Sequence, residues 1–164
     1  MENKTIAIIQ ARLTSSRFPN KVIQKIGNYT LIEFLVNRLK NSKEIDQIIV
    51  ATPNNAKNKL IKKYIKNTKL FFGSENDVLD RFYKTAKKFK ASNVVRICGD
   101  CPFIDVSIVD NMIKVLKKRK FDYVSNTIKP TFPDGFDVEV FKYSVLKDIW
   151  GKAKKKYDRE HVTP

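Results

Sequence analysis

Strand and helix signals alternate along this 164-residue chain, and the first strand is the most restrictive of them. Thr5 to Gln10 (TIAIIQ) is apolar at consecutive positions rather than at every second one, the pattern of a strand covered on both faces. Such a strand needs helices above and below it, and the rest of the chain supplies them. A short apolar segment at Val22 to Ile26 is followed by Thr30-Leu31-Ile32-Glu33, a capping box in which Thr and Glu satisfy each other's backbone donors. It opens a helix to about Asn41, with Leu31, Phe34, Leu35 and Leu39 at helical spacing. Gln47 to Thr52 reads as the second strand, and Asn54 or Asn55 caps a helix to about Lys66. Leu70 to Phe72 is a short third strand. Ser74-Glu75-Asn76-Asp77 opens a helix to Phe89 with Val78, Phe82 and Ala86 on one face. Asn93 to Ile97 is the fourth strand, and Ser107-Ile108-Val109-Asp110 marks a helix ending near Lys118. Tyr123 to Ser125 and Val138 to Phe141 are further strands, and Tyr143 to Lys154 is a closing helix. This order predicts an α/β fold, a Rossmann-like, mostly parallel sheet with helices on both faces.

Composition excludes several classes. A hydrophobic fraction of 42% supplies a core and rules out a disordered basic arm. No apolar run approaches the roughly 20 residues that cross a bilayer. Met1-Glu2-Asn3-Lys4 leads into the first strand without an apolar leader, so the expectation is a cytoplasmic protein with no membrane partner. The formal net charge of +16 raises the question of a polyanionic partner such as nucleic acid. Of the 33 basic residues, however, 26 are Lys, in a chain with 13 Asn and 17 Ile, a bias spread over its whole length. The runs Lys62-Lys63, Lys87-Lys88, Lys117 to Lys120 and Lys154 to Lys156 fall late in helical patterns, which favours solvated faces over a nucleic-acid footprint.

In an open α/β sheet ligands bind at the carboxyl ends of the strands, so the segments that follow the strands carry the functional information. After the first strand, residues 10–21 (QARLTSSRFPNK) gather Arg12, Arg17, Lys21 and three small hydroxyl residues, Thr14, Ser15 and Ser16, in one polar loop. That set suits a polyphosphate, because hydroxyls and backbone N–H groups reach its oxygens while the cations neutralise charge on a leaving pyrophosphate. It is neither a P-loop nor a G-x-G-x-x-G fingerprint. After the fourth strand, Gly99 permits a tight turn and Asp100 offers a carboxylate placed to hold Mg²⁺ on nucleotide phosphates. Cys98 and Cys101 form a C-x-x-C, but the chain has no second pair and only His161 as a further soft ligand. Two reduced, structural thiols are therefore expected rather than a zinc or redox site.

Taken together, A-R-x-x-S-x-R-x-P-x-K (Ala11 to Lys21) and G-D-x-P-x-I (Gly99 to Ile104) resemble the sugar-acid cytidylyltransferases, which activate 3-deoxy-manno-octulosonate and nonulosonic acids. The likeness is closest to the branch named for spore coat polysaccharide biosynthesis. It extends over residues 73–81 (GSENDVLDR), 124–127 (VSNT), 133–141 (PDGFDVEVF) and 159–164 (REHVTP), nearly the whole chain. The resemblance implies the nucleotide-diphospho-sugar transferase fold and transfer of CMP from CTP to a 2-keto sugar acid with release of pyrophosphate. It also implies Mg²⁺ as cofactor and, in many members, a homodimer, for which residues 126–137 have the length of an excursion toward a neighbouring subunit.

Carried over residue by residue, Arg12, Lys21 and Asp100 are the implied catalytic residues, with Asp100 holding the metal. Ala11, Ser15, Ser16 and Arg17 complete the nucleotide loop, and Thr52, Gly73 and Asp77 flank base and ribose. Asp134, Asp137, Glu139, Arg159, Glu160 and His161 lie where the sugar acid enters. Plain alternatives stand beside these roles: Arg81 pairing with Asp77 across a helical turn, and His161 as a surface histidine. Two departures stand out. Thr14 occupies a position where the family commonly has Gly. In the family a strand beyond the R-E-H-V-T-P motif carries a second metal-binding aspartate, so residues 1–164 are expected to form one nucleotidyltransferase domain lacking its C-terminal portion. The alternative functions are a nucleotidyltransferase acting on a sugar or polyol phosphate, and an inactive nucleotide- or RNA-binding module.

Overall fold

A computed structural model describes residues 3–15, 17–129 and 132–164. Six strands form the main sheet in the order β5-β4-β1-β6-β8-β7: β1 (Thr5–Gln10), β4 (Gln47–Pro53), β5 (Lys69–Gly73), β6 (Asn93–Cys98), β7 (Tyr123–Ser125) and β8 (Glu139–Lys142). The pairs β1 with β4, β1 with β6 and β4 with β5 are parallel, while β8 runs antiparallel to both β6 and β7. The sheet is thus mostly parallel, with one reversed strand near the β7 edge. A small hairpin, β2 (Lys25–Ile26) with β3 (Tyr29–Thr30), occupies the apolar segment expected at Val22 to Ile26, together with a 3-10 turn over Lys21–Ile23.

Helices α1 (Leu31–Leu39) and α4 (Val106–Arg119) cover one face, where Leu35, Val36, Leu39, Val109 and Ile113 pack on Ala7, Ile9, Val95 and Ile97. The other face packs Ile6, Ile8, Val94 and Phe141 against α3 (Val78–Lys88), through Leu79 and Phe82, and α5 (Tyr143–Lys152), through Leu146. Adjacent residues of β1 therefore serve opposite cores, which is why its apolar run is unbroken.

Local signals hold closely at the helix starts. Thr30 and Glu33 form the capping box of α1, and Asn55 caps α2 (Ala56–Lys59) through the Asn58 N–H. That second helix is much shorter than the expected run to Lys66, giving way to a 3-10 turn at Leu60–Lys63. The cap of α4 is Asp105 rather than Ser107, because the Asp105 carboxylate accepts both the backbone N–H and the hydroxyl of Ser107. One further helix, α6 (Lys156–His161), follows α5 and turns part of the last lysine run toward the site. No helix among the described residues is long and apolar enough to cross a membrane.

Candidate active site

Strands β1 and β6 end side by side, and their following loops are pressed together. The Gly99 N–H donates to the Gln10 carbonyl at 2.8 Å, and a Cβ at Gly99 would lie 2.7 Å from that oxygen and 3.1 Å from the Ala11 Cβ. Glycine is required here for close approach of two backbones. Beyond Gly99, Asp100 accepts a hydrogen bond from the Lys21 ammonium at 3.0 Å, a pair whose side chains are 48% and 40% exposed. The structure thus joins two of the expected catalytic residues, one from each loop.

The loop between them is shaped by its own polar groups. Leu13 N–H donates to the buried Asn58 carbonyl Oδ1 at 2.6 Å, and Asn20 N–H closes back on the Leu13 carbonyl at 3.2 Å with Asn20 in the left-handed region (φ 60°). Ser15 Oγ accepts from Phe18 N–H; Ser16 lies outside the described residues. Thr14 donates its hydroxyl to Glu75 at 2.7 Å. Glu75 also accepts from the Asn55 amide, and these two bonds hold its carboxyl below the ordinary carboxylate range. Loop and α3 entrance are tied together through this one carboxylate.

Next to the loop opens a cleft of about 370 Å³, on the α3 side of the sheet. Gln10, Ala11, Arg12 and Arg17 line it from the β1 loop, Glu75, Asn76, Val78 and Arg81 from the start of α3, Arg96 from β6, and Lys156, Glu160 and His161 from α6. Five of these twelve residues are cationic against two carboxylates, so the cleft is built for an anion. Arg81 is only 3% exposed; burial, with the Arg12 guanidinium second, pushes its pKa down to about 10. It makes no ion pair with the Asp77 side chain; its Nη1 donates to the Ser74 carbonyl, and its buried Nε has no partner among the described residues. Gly73 leaves no room beside it, since a Cβ there would lie 2.9 Å from the Arg81 Cγ.

The expected residues divide accordingly. Ala11, Arg12, Arg17, Glu160 and His161 line the cleft, and Lys21 and Asp100 meet beside it. Thr52 is fully buried at the end of β4, off the cleft wall, with Oγ1 unpartnered among the described residues. Asp77 is committed to the fold: one oxygen caps α3 through Asp80 N–H, and the other accepts from Arg159 Nε at 2.6 Å. Arg159 in turn donates to the carbonyls of Trp150 and Ala153, so it anchors α6. His161 rests against the Tyr157 ring, centroids 4.4 Å apart. Asp134 and Asp137 are exposed on the loop before β8. Glu139 faces inward, 7% exposed, and accepts from Arg96 at 2.5 Å, Tyr123 at 2.9 Å and Thr163 at 2.7 Å.

Sequence reasoning missed Arg96 and Lys156. A single charge inside the apolar run Val94-Val95-Arg96-Ile97 was the available signal for the first. Lys156 was hidden in a run of lysines. Cys98 and Cys101 are free thiols; a hydrogen bond from Cys101 and the nearby Arg96 hold Cys98 below the usual thiol value, while that same contact and burial push Cys101 up. Among the described residues no three His, Cys, Asp or Glu side chains gather to hold a metal. A lone half-exposed carboxylate fits Mg²⁺, whose remaining positions are filled by phosphate oxygens and water, and does not fit a zinc cage.

A doubly covered, mostly parallel sheet with a cationic cleft at the carboxyl ends of β1 and β6 defines a nucleotidyltransferase-like protein. Residues 6–164 match the cytidylyltransferase family model, and the chain belongs to that family. It is 44% identical over 165 residues to an uncharacterised protein of Methanocaldococcus jannaschii, covering 98% of this chain and 66% of that one. It is 34% identical over 168 residues to the spore coat polysaccharide biosynthesis protein SpsF of Bacillus subtilis (98% and 69%). Identity to a 3-deoxy-manno-octulosonate cytidylyltransferase of Leptospira interrogans is 27% over 154 residues (93% and 62%). The solved structure of a cytidylyltransferase from Leptospira borgpetersenii superposes with a TM-score of 0.95 at 32% identity, covering 98% of this chain and 69% of that one. The chain spans about two thirds of the length of these curated relatives.

Proposed function

We propose that this cytidylyltransferase transfers CMP from CTP to a 2-keto sugar acid, releasing pyrophosphate, in the assembly of a surface polysaccharide. The observation that carries the reading is the cationic cleft, walled by Arg12 and Arg17 from the β1 loop and by Glu160 and His161 from α6. Relatives named for 3-deoxy-manno-octulosonate and for spore coat polysaccharide support the acceptor class.

In this reading Arg12, Arg17 and Lys21 bind the triphosphate and neutralise the charge that develops on the departing pyrophosphate. The acceptor's anomeric hydroxyl attacks the α-phosphorus in line; the bond from that phosphorus to the pyrophosphate oxygen breaks, and the hydroxyl proton leaves to solvent. Asp100 is the residue that would hold Mg²⁺, and the ion would supply offset of phosphate charge and a lower pKa for the attacking hydroxyl. The Lys21 ammonium pairs with Asp100 across the two loops, and because both side chains are half-exposed it is free to turn to the phosphates that the nucleotide brings. Thr14, through Glu75, holds the loop against α3, so that positioning supplies part of the rate.

Pyrophosphate release from CTP and Mg²⁺ tests this, with 3-deoxy-manno-octulosonate and other 2-keto sugar acids compared against phosphorylated polyols. Release with the keto acids alone is expected. Release only with phosphorylated acceptors moves the acceptor class, and absence of heat protection by Mg·CTP overturns the nucleotide reading. Binding of RNA that weakens steeply with salt and survives Asp100→Ala points instead to a binding module.

A further inference from the structure

Arg96 is the cleft residue whose guanidinium is most deliberately held. Its Cα stands opposite that of Glu139 across the β6–β8 pair, and the two side chains meet at 2.5 Å. Among the described residues it is Nη1 that bonds: it donates to Glu139 Oε2 and, at 3.0 Å, to the Thr163 hydroxyl. Glu139 is fixed in its own right, since the Tyr123 hydroxyl and the Thr163 hydroxyl both donate to it. The side-on edge of the guanidinium, Nε and Nη2, has no partner among the described residues, and Nε is buried. This is the edge that receives a carboxylate through two parallel N–H bonds. A guanidinium clamped by one nitrogen, with its side-on edge unpartnered at the cleft wall, is pre-organised for a planar anion.

Its place in the cleft decides which anion. Arg12 and Arg17 lie in the β1 loop, which takes the phosphates, and Arg81 lies beside Gly73 and Ser74. Arg96 comes from neither of these segments but from β6, and Thr163 ties it to the segment that carries Glu160 and His161, the acceptor end of the cleft in this reading. Resting on the proposed cytidylyltransferase reading, we infer that Arg96 is the receptor for the acceptor's carboxylate and sets the requirement for an acid, while Glu139 is a positioning residue that aims the Arg96 fork and does not touch the sugar. Glu139 thereby leaves the substrate-binding set and Arg96 enters it.

The test is equilibrium binding to the full chain of two probes in the presence of Mg²⁺: the α,β-methylene analogue of CTP, then 3-deoxy-manno-octulosonate and its methyl ester. The wild type is expected to bind the acid at least tenfold more tightly than the ester. Arg96→Lys keeps a cation against Glu139 but loses the fork, and is expected to abolish that preference while the CTP analogue binds within twofold of wild type. Glu139→Gln is expected to weaken acid binding and raise KM for the acid more than it lowers kcat. Failure of the analogue to bind wild type overturns the cytidylyltransferase reading itself. With the analogue bound, three results overturn the Arg96 assignment: no binding of the acid, equal binding of acid and ester by wild type, or an Arg96→Lys protein that still prefers the acid. So does an Arg96→Lys protein that loses the CTP analogue and keeps the acid, which would place Arg96 on phosphate.

Discussion

Two ion pairs stand within a few residues of each other at the end of β6 and differ in almost every physical respect. Lys21–Asp100 joins two loops, with side chains 40% and 48% exposed and one hydrogen bond between them. Arg96–Glu139 joins two strands, 17% and 10% exposed, with Tyr123 and Thr163 closing the surrounding network. An exposed pair adds little to stability, so it is cheap to break and remake when a ligand brings charges of its own. A buried pair loses much if one partner is removed, because the other charge is left without compensation. The first arrangement suits groups that change partner during a reaction; the second suits a group that must keep its direction.

The comparison breaks most visibly at Glu139. Glu139→Ala is expected to destabilise the fold by about 3–5 kcal/mol, read by denaturant unfolding, because it strands the Arg96 charge. Lys21→Ala should do the reverse. Pyrophosphate release is expected to fall about 10²–10³-fold, the scale of losing one preorganised charge at a leaving group, while the unfolding midpoint moves by less than about 1 kcal/mol. Equal stability losses in the two variants would erase the distinction. Gly99→Ala tests whether the loops must touch, and overpacking against the Gln10 carbonyl is expected to cost about 1–3 kcal/mol with activity lost alongside. Asp77→Ala removes the α3 cap and the anchor of Arg159, for about 1–2 kcal/mol in thermal unfolding.

The smallest effect is set by pH at Glu75. Its carboxyl is held below the ordinary value by Thr14 and Asn55, so the folded form binds a proton less readily than the unfolded one. The tether is therefore complete above the ordinary carboxylate pKa and is lost as pH falls through the lower folded value. Glu75→Gln should flatten that acid limb in melts run between neutral pH and about pH 3.

How much of this was legible in the sequence depended on whether the deciding contact was local. The capping box at Thr30 and Glu33, the doubly buried pattern of β1 and the polar loop after it involve neighbours in the chain, and each is where the residues place it. The cut-off of α2 was not legible, because Leu60–Lys63 keeps a helical composition while tightening to a 3-10 turn. At the site, Arg12, Arg17, Glu160 and His161 could be read from motif order and line one cleft, while Lys21 and Asp100, read the same way, meet each other across the β1 and β6 loops. Asp77, Arg159 and Glu139 share those motifs, yet each is bound to a partner more than 20 residues away, or to several. Motif membership marks such residues without saying whether they face the cleft or hold up its walls.

Helix α6 draws a last consequence from those long-range partners. At six residues with none buried, it is too short to persist on its own. Arg159 tethers it to Asp77 at the start of α3, and Thr163, just beyond it, tethers it to Arg96 and Glu139 on the sheet. The wall carrying Lys156, Glu160 and His161 is therefore a strap held by the Arg159 and Thr163 side chains and by the buried Val162 just beyond it, the natural unit of local opening in this molecule. Amide hydrogen exchange over residues 156–161 should be faster than in α3 and should slow when any of these ties is tightened by a ligand, which makes this segment a built-in reporter of what the cleft holds.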